Sequence, residues 1–290
     1  MAARTLLMDI REQQWSPVLC DIFGIPPGIL PTINPSTGFN ISLNNGLKLQ
    51  ASLADQSAAL VASVGEDRDV ALVNLGTGGF VIRYLDEAEP VTDGYLRTLV
   101  YQGQDAPAHI AIEGTLNSIA SALAPYPVSE CKIEDMAAEQ TIFCLAEPSG
   151  LGAPYFRNDL GLEFSSSVEH LSRGEVACLL LEAIIFRVVR ILEDFDHVAP
   201  IKRVYLSGGL SELACLQQGI ATCLKHEGRV CNVFRLQQRD ASLQGAAILA
   251  SGLKQSRHQD LLKVEISHSS QALQQKYLRW KVWIDDLVKA

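Results

Sequence analysis

Basic runs, paired cysteines and long apolar stretches are missing from this chain of 290 residues, and each absence argues against a class of function. Asp and Glu number 33 against 24 Lys and Arg, a formal net charge of -9, so neither a nucleic-acid polyanion nor an anionic membrane is an expected partner. Cys20, Cys131, Cys144, Cys178, Cys215, Cys223 and Cys231 are odd in number and form no C-x-x-C pair, which points to buried thiols in a reducing cytoplasm. The longest apolar candidate for a membrane helix, Val176 to Leu192, is broken by Glu182, Arg187 and Arg190, and no basic-then-apolar leader opens the chain. No histidine stands at metal-binding spacing from another, and the H-E-x-x-H, G-x-S-x-G and G-x-x-x-x-G-K-[ST] patterns are absent. A protein-held metal, a serine-hydrolase elbow and a Walker-type ATPase are therefore not expected.

What is present is ordinary globular material, 48% hydrophobic and 20% charged residues, enough for one large domain or two smaller ones. Trp15 to Gly24 predicts a short helix, with Ser16 as N-cap, Pro17 in its first position and Gly24 at its end. Pro26, Pro27, Pro31 and Pro35 then enforce an irregular connector. Leu47 to Ala51 reads as a strand, and Asp55 stands where it would cap a helix through Leu60 and Val61. Val70-Ala71-Leu72-Val73 and Val81-Ile82-Arg83-Tyr84 are strand-like runs on either side of a glycine-rich bend, which makes a hairpin. Thr98 to Tyr101 and His109 to Ile112 predict further strands, and Glu113-Gly114-Thr115 a turn into a helix from Leu116 to Leu123. A polar loop from Pro125 to Glu139 precedes a strand at Thr141 to Leu145. The longest helix, about Glu175 to Phe195, is apolar nearly all round and should be buried. Lys202 to Leu206 and Val230 to Arg235 predict strands, with Ser211 placed to cap a helix between them. Gly245-Ala246-Ala247 suits a close helix crossing, and Leu273, Tyr277, Trp280, Ile284 and Leu287 form the stripe of a last docking helix.

Three glycine turns at strand ends carry the chemistry. Asn74-Leu75-Gly76-Thr77-Gly78-Gly79-Phe80 offers main-chain N–H groups that glycine lets approach a phosphate closely, with the Thr77 hydroxyl as a further donor. Glu113-Gly114-Thr115 and Ser207-Gly208-Gly209 each precede a predicted helix N-terminus, where anions are favoured. Each feature also has a plainer reading, because glycine is the default turn residue, βα loops often carry it, and Asp is a favoured N-cap. Taken with Asp55 upstream, phosphoryl transfer is the economical reading, since that chemistry needs positioning, charge neutralisation and one proton acceptor.

In their order along the chain these motifs resemble the FGGY carbohydrate kinases, most nearly the glycerol kinase branch. Ala3-Arg4-Thr5-Leu6-Leu7 with Trp15, and Phe23-Gly24-Ile25-Pro26 with Leu30-Pro31, resemble the late part of the family's first domain. Asp55-Gln56, Gly76-Thr77-Gly78 with Phe80, Glu113-Gly114-Thr115, Ser149 to Tyr155, Leu181-Glu182-Ala183, Ser207-Gly208-Gly209 and Gly245-Ala246-Ala247 continue the series. The resemblance implies an α/β, ribonuclease-H-like fold of the actin, hexokinase and heat-shock chaperone ATPase type. It implies residues 69–256 as the C-terminal nucleotide-binding domain, 1–68 as the remainder of a similar N-terminal substrate domain, and 257–290 as a tail and docking helix.

It further implies ATP-dependent phosphoryl transfer to a hydroxyl of a polyol or sugar, with ATP and Mg²⁺ as cofactors. On this resemblance Asp55 takes the proton from the attacking hydroxyl. Gly76, Thr77 and Gly78 hold the transferring phosphate, Gly114 belongs to the nucleotide site, Gly208 and Gly209 line the nucleotide's α-phosphate and adenine side, and Gln56 and Phe80 face the substrate. The family's opening Asp-x-Gly-Thr-Thr-like loop is not in this sequence, and most of the first domain is expected to be missing. Three functions follow as alternatives: a kinase of which this sequence is a fragment without the N-terminal part, or which works with that part as a separate chain; a non-catalytic nucleotide-binding or interaction module; and a remnant that forms a homo-oligomer through an exposed former interface. Little kinase activity is expected of the isolated chain.

Overall fold

Short strand-forming runs punctuated by glycine and proline set the element order, which a computed structural model describes for residues 1–86, 89–225, 231–237, 240–252, 261–266 and 271–289. The early residues make small local pairings. β1 (Met8–Asp9) and β2 (Gln14–Trp15) form an antiparallel ladder with Met8 opposite Trp15. α1 (Pro17–Ile22) starts as its sequence predicts: Ser16 Oγ accepts from the Leu19 N–H at 3.3 Å, and Gly24 turns the chain away at φ +64°. Trp15 Nε1 donates to the Pro31 carbonyl at 2.7 Å, which pins the proline connector. β3 (Thr37–Ser42) pairs with β4 (Lys48–Ala51). β4 falls where a strand was expected; β3 was not foreseen.

α2 (Asp55–Val64) leads into β5 (Val70–Leu75), and β6 (Gly79–Leu85), β7 (Leu96–Gln102) and β8 (Ala108–Leu116) follow as an antiparallel set. α3 (Ile119–Leu123) is short, and β9 (Cys144–Ala146) pairs with β10 (Leu162–Phe164). α4 (Arg173–Val198) precedes β11 (Arg203–Ser207), α5 (Ala214–Leu224), β12 (Asn232–Leu236), α6 (Ala241–Ser251), β13 (Leu261–Lys263) and α7 (Gln271–Leu287). Among the described residues the main sheet runs β13-β12-β11-β5-β6-β8-β7, with β11 parallel to both β5 and β12. Val230, the expected start of β12, and the expected boundary at 256 lie outside the described residues. No described helix is long and apolar enough to cross a membrane.

Side chains alternate across a strand, so β5 feeds two cores. Ala71, Val73 and Leu75 join Val81, Ile112 and the apolar face of α4 on one side, together with α5 and α7. Val70 and Leu72 join Ile82, Tyr84 and the α2 residues Leu60 and Val61 on the other. α6 crosses α2 so closely that a Cβ on Gly245 would lie 1.8 Å from the Ala58 carbonyl oxygen, which realises the crossing expected of its small residues. Of the predicted stripe of α7, Leu273, Tyr277, Trp280 and Ile284 are inaccessible to solvent and Leu287 is half-buried.

α4 begins with a capping box between Ser172 and Glu175 and is held by charges as well as by packing. Glu182, deep in the core, accepts from Lys276 Nζ of α7 at 2.6 Å and from the Ala137 N–H at 2.5 Å. Burial pushes the Glu182 carboxyl above the usual carboxylate range even with Lys276 beside it. Arg83 reaches from β6 to the end of α4, donating Nη1 to the Phe195 carbonyl at 3.2 Å and to that of Ala199.

Two predictions follow from this packing. Lys276→Met leaves Glu182 buried without its cation and is expected to lower unfolding free energy by about 3–5 kcal/mol, whereas Glu182→Met with Lys276→Met recovers most of the loss; urea titration of the three chains checks it. His109 stacks on Tyr101 with ring centroids 4.0 Å apart, and burial lowers its pKa below the ordinary 6.5, an effect that Glu66 opposes and Arg68 assists. The fold therefore favours neutral His109: its contribution is complete above the unfolded-state pKa and is lost as pH falls through the lower folded value. His109→Phe is expected to flatten the decline in urea midpoint between neutrality and about pH 5.

Candidate functional site

β5 and β11 run parallel and finish together, Ser207 opposite Asn74, so the two glycine turns that follow leave the sheet side by side. Gly208 has φ +86°, and a Cβ there would lie 2.3 Å from the Leu75 carbonyl oxygen and 2.5 Å from Asn74 Oδ1. Only glycine tolerates that approach and that backbone angle. Gly209 faces open space instead. Ser211 does not cap α5 as expected: its hydroxyl donates to the Gly208 carbonyl at 2.6 Å, and one 3₁₀ turn intervenes before Ala214.

The hairpin forms as predicted, with Gly76, Thr77 and Gly78 as its bend. The Gly76 N–H donates to the Gly78 carbonyl at 2.9 Å, while the N–H groups of Thr77 and Gly78 have no protein partner among the described residues. A Cβ on Gly78 would come within 3.0 Å of the Leu116 carbonyl oxygen, so the bend lies hard against the end of β8. The Ala120 N–H donates to the Thr77 carbonyl at 3.2 Å and ties the bend to α3, leaving Thr77 itself exposed.

α2 packs on the sheet face that holds Val70 and Leu72, returns through residues 65–69 into β5, and opens at Asp55. The capping role is not realised: Ala54 takes the N-cap position, and among the described residues the exposed Asp55 carboxylate accepts only from the adjacent Gln56 N–H, at 2.8 Å. Gln56 is half-buried beside it. Phe80 lies opposite Asn74 on β5 and opposite Thr115 on β8, so these three side chains share the face that α2 covers. Glu113, two residues from Thr115, shares it too and is buried, and Arg4 Nη1 reaches it at 3.0 Å from the start of the chain.

Gly114 corrects one expectation. It is not in a turn: β8 continues to Leu116, and Gly114 points to the opposite face, where a Cβ would lie 2.8 Å from Ile191 Cγ2 and 3.1 Å from Tyr95 Cε1. Its small size lets α4 pack onto β8. The turn comes later, at Asn117 and Ser118, the latter at φ +54°. Phe80 and the two glycine turns thus gather at one end of the sheet, Asp55 and Gln56 open the helix that covers the face Phe80 shares, and Gly114 stands apart beneath α4. Asn74, Glu113 and Thr115 stood in the motifs beside the glycines and Arg4 in the run from Ala3 to Leu7, but none was singled out as a site side chain. Strand alternation marks the first three; nothing local marks Arg4, whose partner is 109 residues away.

A cavity of about 570 Å³ lined by Arg11, Gln13, Tyr95 and Arg97 includes none of the predicted residues. No group of three or more His, Cys, Asp or Glu residues able to hold a metal occurs among the described residues.

A sheet of this order with helices on both faces is the ribonuclease-H-like fold of the actin and hexokinase class. The chain belongs to the FGGY family of carbohydrate kinases, whose C-terminal domain matches residues 71–252. It is 28% identical over 236 residues to a glycerol kinase of Renibacterium salmoninarum, covering 75% of this chain and 47% of that one. It is 27% identical over 285 residues to a glycerol kinase of Thermococcus gammatolerans, covering 91% and 55%. The crystal structure of Plasmodium falciparum glycerol kinase with ADP superposes with a TM-score of 0.77 at 20% identity, over 98% of this chain and 62% of that one, a likeness of fold. The chain spans about half the length of the curated relatives it matches.

The two adjacent glycines give a contrast to measure. Gly208→Ala is expected to lower unfolding free energy by about 1–3 kcal/mol, because its Cβ would meet backbone. Gly209→Ala should lie within about 0.5 kcal/mol of the parent chain. Equal urea midpoints for the two variants would contradict the close approach of the turns.

Proposed function

We propose that this chain is the nucleotide-binding half of an ATP-dependent kinase acting on a hydroxyl of a polyol or sugar. The observation that carries the reading is the pair of turns at the shared end of β5 and β11: unspent N–H groups at Thr77 and Gly78 stand beside the open face of Gly209. Backbone donors so arranged suit a phosphate chain, and they favour charge building up on a transferred group. Thr77 and Gly78, with Gly76 shaping the bend, hold the transferring phosphate. Gly208 and Gly209 line the nucleotide toward its α-phosphate and adenine. Gly114 contributes by letting β8 and α4 close up behind them.

Asp55 is the proton acceptor, for which its exposed carboxylate, free of a capping bond, is suited. Gln56 and Phe80 face the substrate. A metal carried on nucleotide phosphates needs no dedicated protein cage. Mg²⁺ bound in that way neutralises charge on the phosphates during transfer.

The proposed division is 1–68 as the remainder of a substrate domain, 69–256 as the nucleotide domain and 257–290 as the tail. Leu6, Val18, Ile22, Phe23 and Ile29 leave large apolar surface exposed in the first of these, which supports a covering polypeptide: a separate N-terminal kinase segment, or a second copy of the chain. The thiols of Cys20, Cys131, Cys144, Cys178, Cys215 and Cys223 form no disulfide, which suits a reducing cytoplasm. A second reading is a nucleotide-binding module without chemistry. The two readings differ in whether a second wall supplies the positioning that contributes about 7–11 kcal/mol to catalysis.

The test is ADP release from Mg-ATP with glycerol and a panel of sugars, for the chain alone and mixed with a separately expressed N-terminal half of an FGGY kinase. Activity is expected only in the mixture, and Asp55→Asn should lower it by about 10²–10⁴-fold. A mixture whose activity ignores Asp55→Asn would contradict the assigned base, and an inactive mixture that still binds Mg-ADP would favour the module.

A further inference from the structure

Behind the bend, two loops hang from a single buried carboxylate. Glu147 follows β9 and is 1% exposed. Its Oε2 accepts the backbone N–H groups of Asn117 and Gly152, each at 2.8 Å, and its Oε1 accepts Arg187 Nε at 2.7 Å. Arg187, from the middle of α4, is equally buried, lies 5.1 Å over the Tyr155 ring and donates Nη2 to the Ala153 carbonyl. Asn117 Nδ2 donates to the Gly150 carbonyl at 2.9 Å. The loops meet at the surface, where the hydroxyls of Ser118 and Ser149 are 2.6 Å apart. Ala120, two residues beyond Ser118, is the donor to the Thr77 carbonyl, so this junction borders the hairpin bend.

Burying an ion pair is a poor route to stability, since apolar replacements of the same size are often as stable or more so. What the Glu147 carboxylate supplies is geometry: one oxygen fixes two amides from segments that are otherwise irregular. We propose that Glu147, backed by Arg187, is a positioning residue that sets the Asn117–Ser118 turn against the Ser149–Ala153 loop. The Ser118 and Ser149 hydroxyls then form a polar lip beside Thr77 that meets the nucleotide phosphates. The inference rests on the nucleotide-site reading above.

The test uses the full chain, calorimetric titration with Mg-ADP, and amide exchange at Asn117 and Gly152. Glu147→Met with Arg187→Met removes acceptor and charge together; it is expected to speed exchange at both amides and to weaken binding about 10-fold or more, the scale on which supporting contacts act. Glu147→Gln with Arg187→Met keeps an acceptor for the amides and is expected to restore both readouts. Ser118→Ala with Ser149→Ala, at the surface, is expected to weaken binding without changing the melting temperature, and it serves if the buried pair of substitutions prevents folding. Unchanged binding in the two-serine variant overturns the lip. Unchanged exchange and binding in the folded Met pair reduce Glu147 to a structural role and overturn the positioning claim. Altered exchange in a chain whose folded parent binds no Mg-ADP overturns the nucleotide-site reading, and the phosphate role of the lip with it.

Discussion

Where β5 and β11 end side by side, the Gly208 backbone lies against the Leu75 carbonyl with no room for a Cβ, and the rest of the site depends on that approach. It brings a hairpin bend and a strand-to-helix turn to one place from positions more than a hundred residues apart in the chain. α2 and α6 cover the same face, and their own close crossing at Gly245 and Ala58 settles where α2, and so Asp55, can stand. Glycine is used here for want of a side chain: at Gly208 and Gly245 a Cβ would meet backbone, and at Gly114 its absence admits Ile191.

Charge in the interior does different work. Glu182 with Lys276 fastens α7 to α4, Arg83 closes the end of α4 from β6, and Glu147 with Arg187 ties two loops to its centre. α4 is therefore the common anchor of the structure as well as the main wall of its larger core. Such pairs bring little net stability relative to apolar packing.

What the sequence made legible was local. Ser16, Pro17 and Gly24 bound α1 because capping is decided within a few residues, and the stripe from Leu273 to Ile284 marked the buried face of α7 because helical period is read directly. The hairpin around Thr77 and the turn at Gly208 were visible for the same reason. Gly114 misled because glycine in a strand and glycine in a turn look alike until the partner strand is known; β8 runs on to Leu116 opposite β6. Asp55 resembled an N-cap, yet the extended backbone at Ala54 puts the cap one residue earlier. Glu182 registered only as an interruption of an apolar run and as the middle of a motif, Arg187 and Arg190 only as interruptions. Their partners, Lys276, Glu147, and Asp194 with Asp285, were beyond any local pattern except for the i,i+4 pair with Asp194. Arg4 reaching Glu113 is the same kind of contact at the site itself.

The central claim is that these two turns form a working nucleotide site within this chain. Its most direct measurement is calorimetric titration of the folded chain with Mg-ADP, beside a Gly209→Trp variant that fills the open face of the second turn. The account predicts saturable binding by the parent chain and its loss in the variant, with the melting temperature unchanged. Binding that survives in Gly209→Trp, or none by a parent chain shown to be folded, would contradict it.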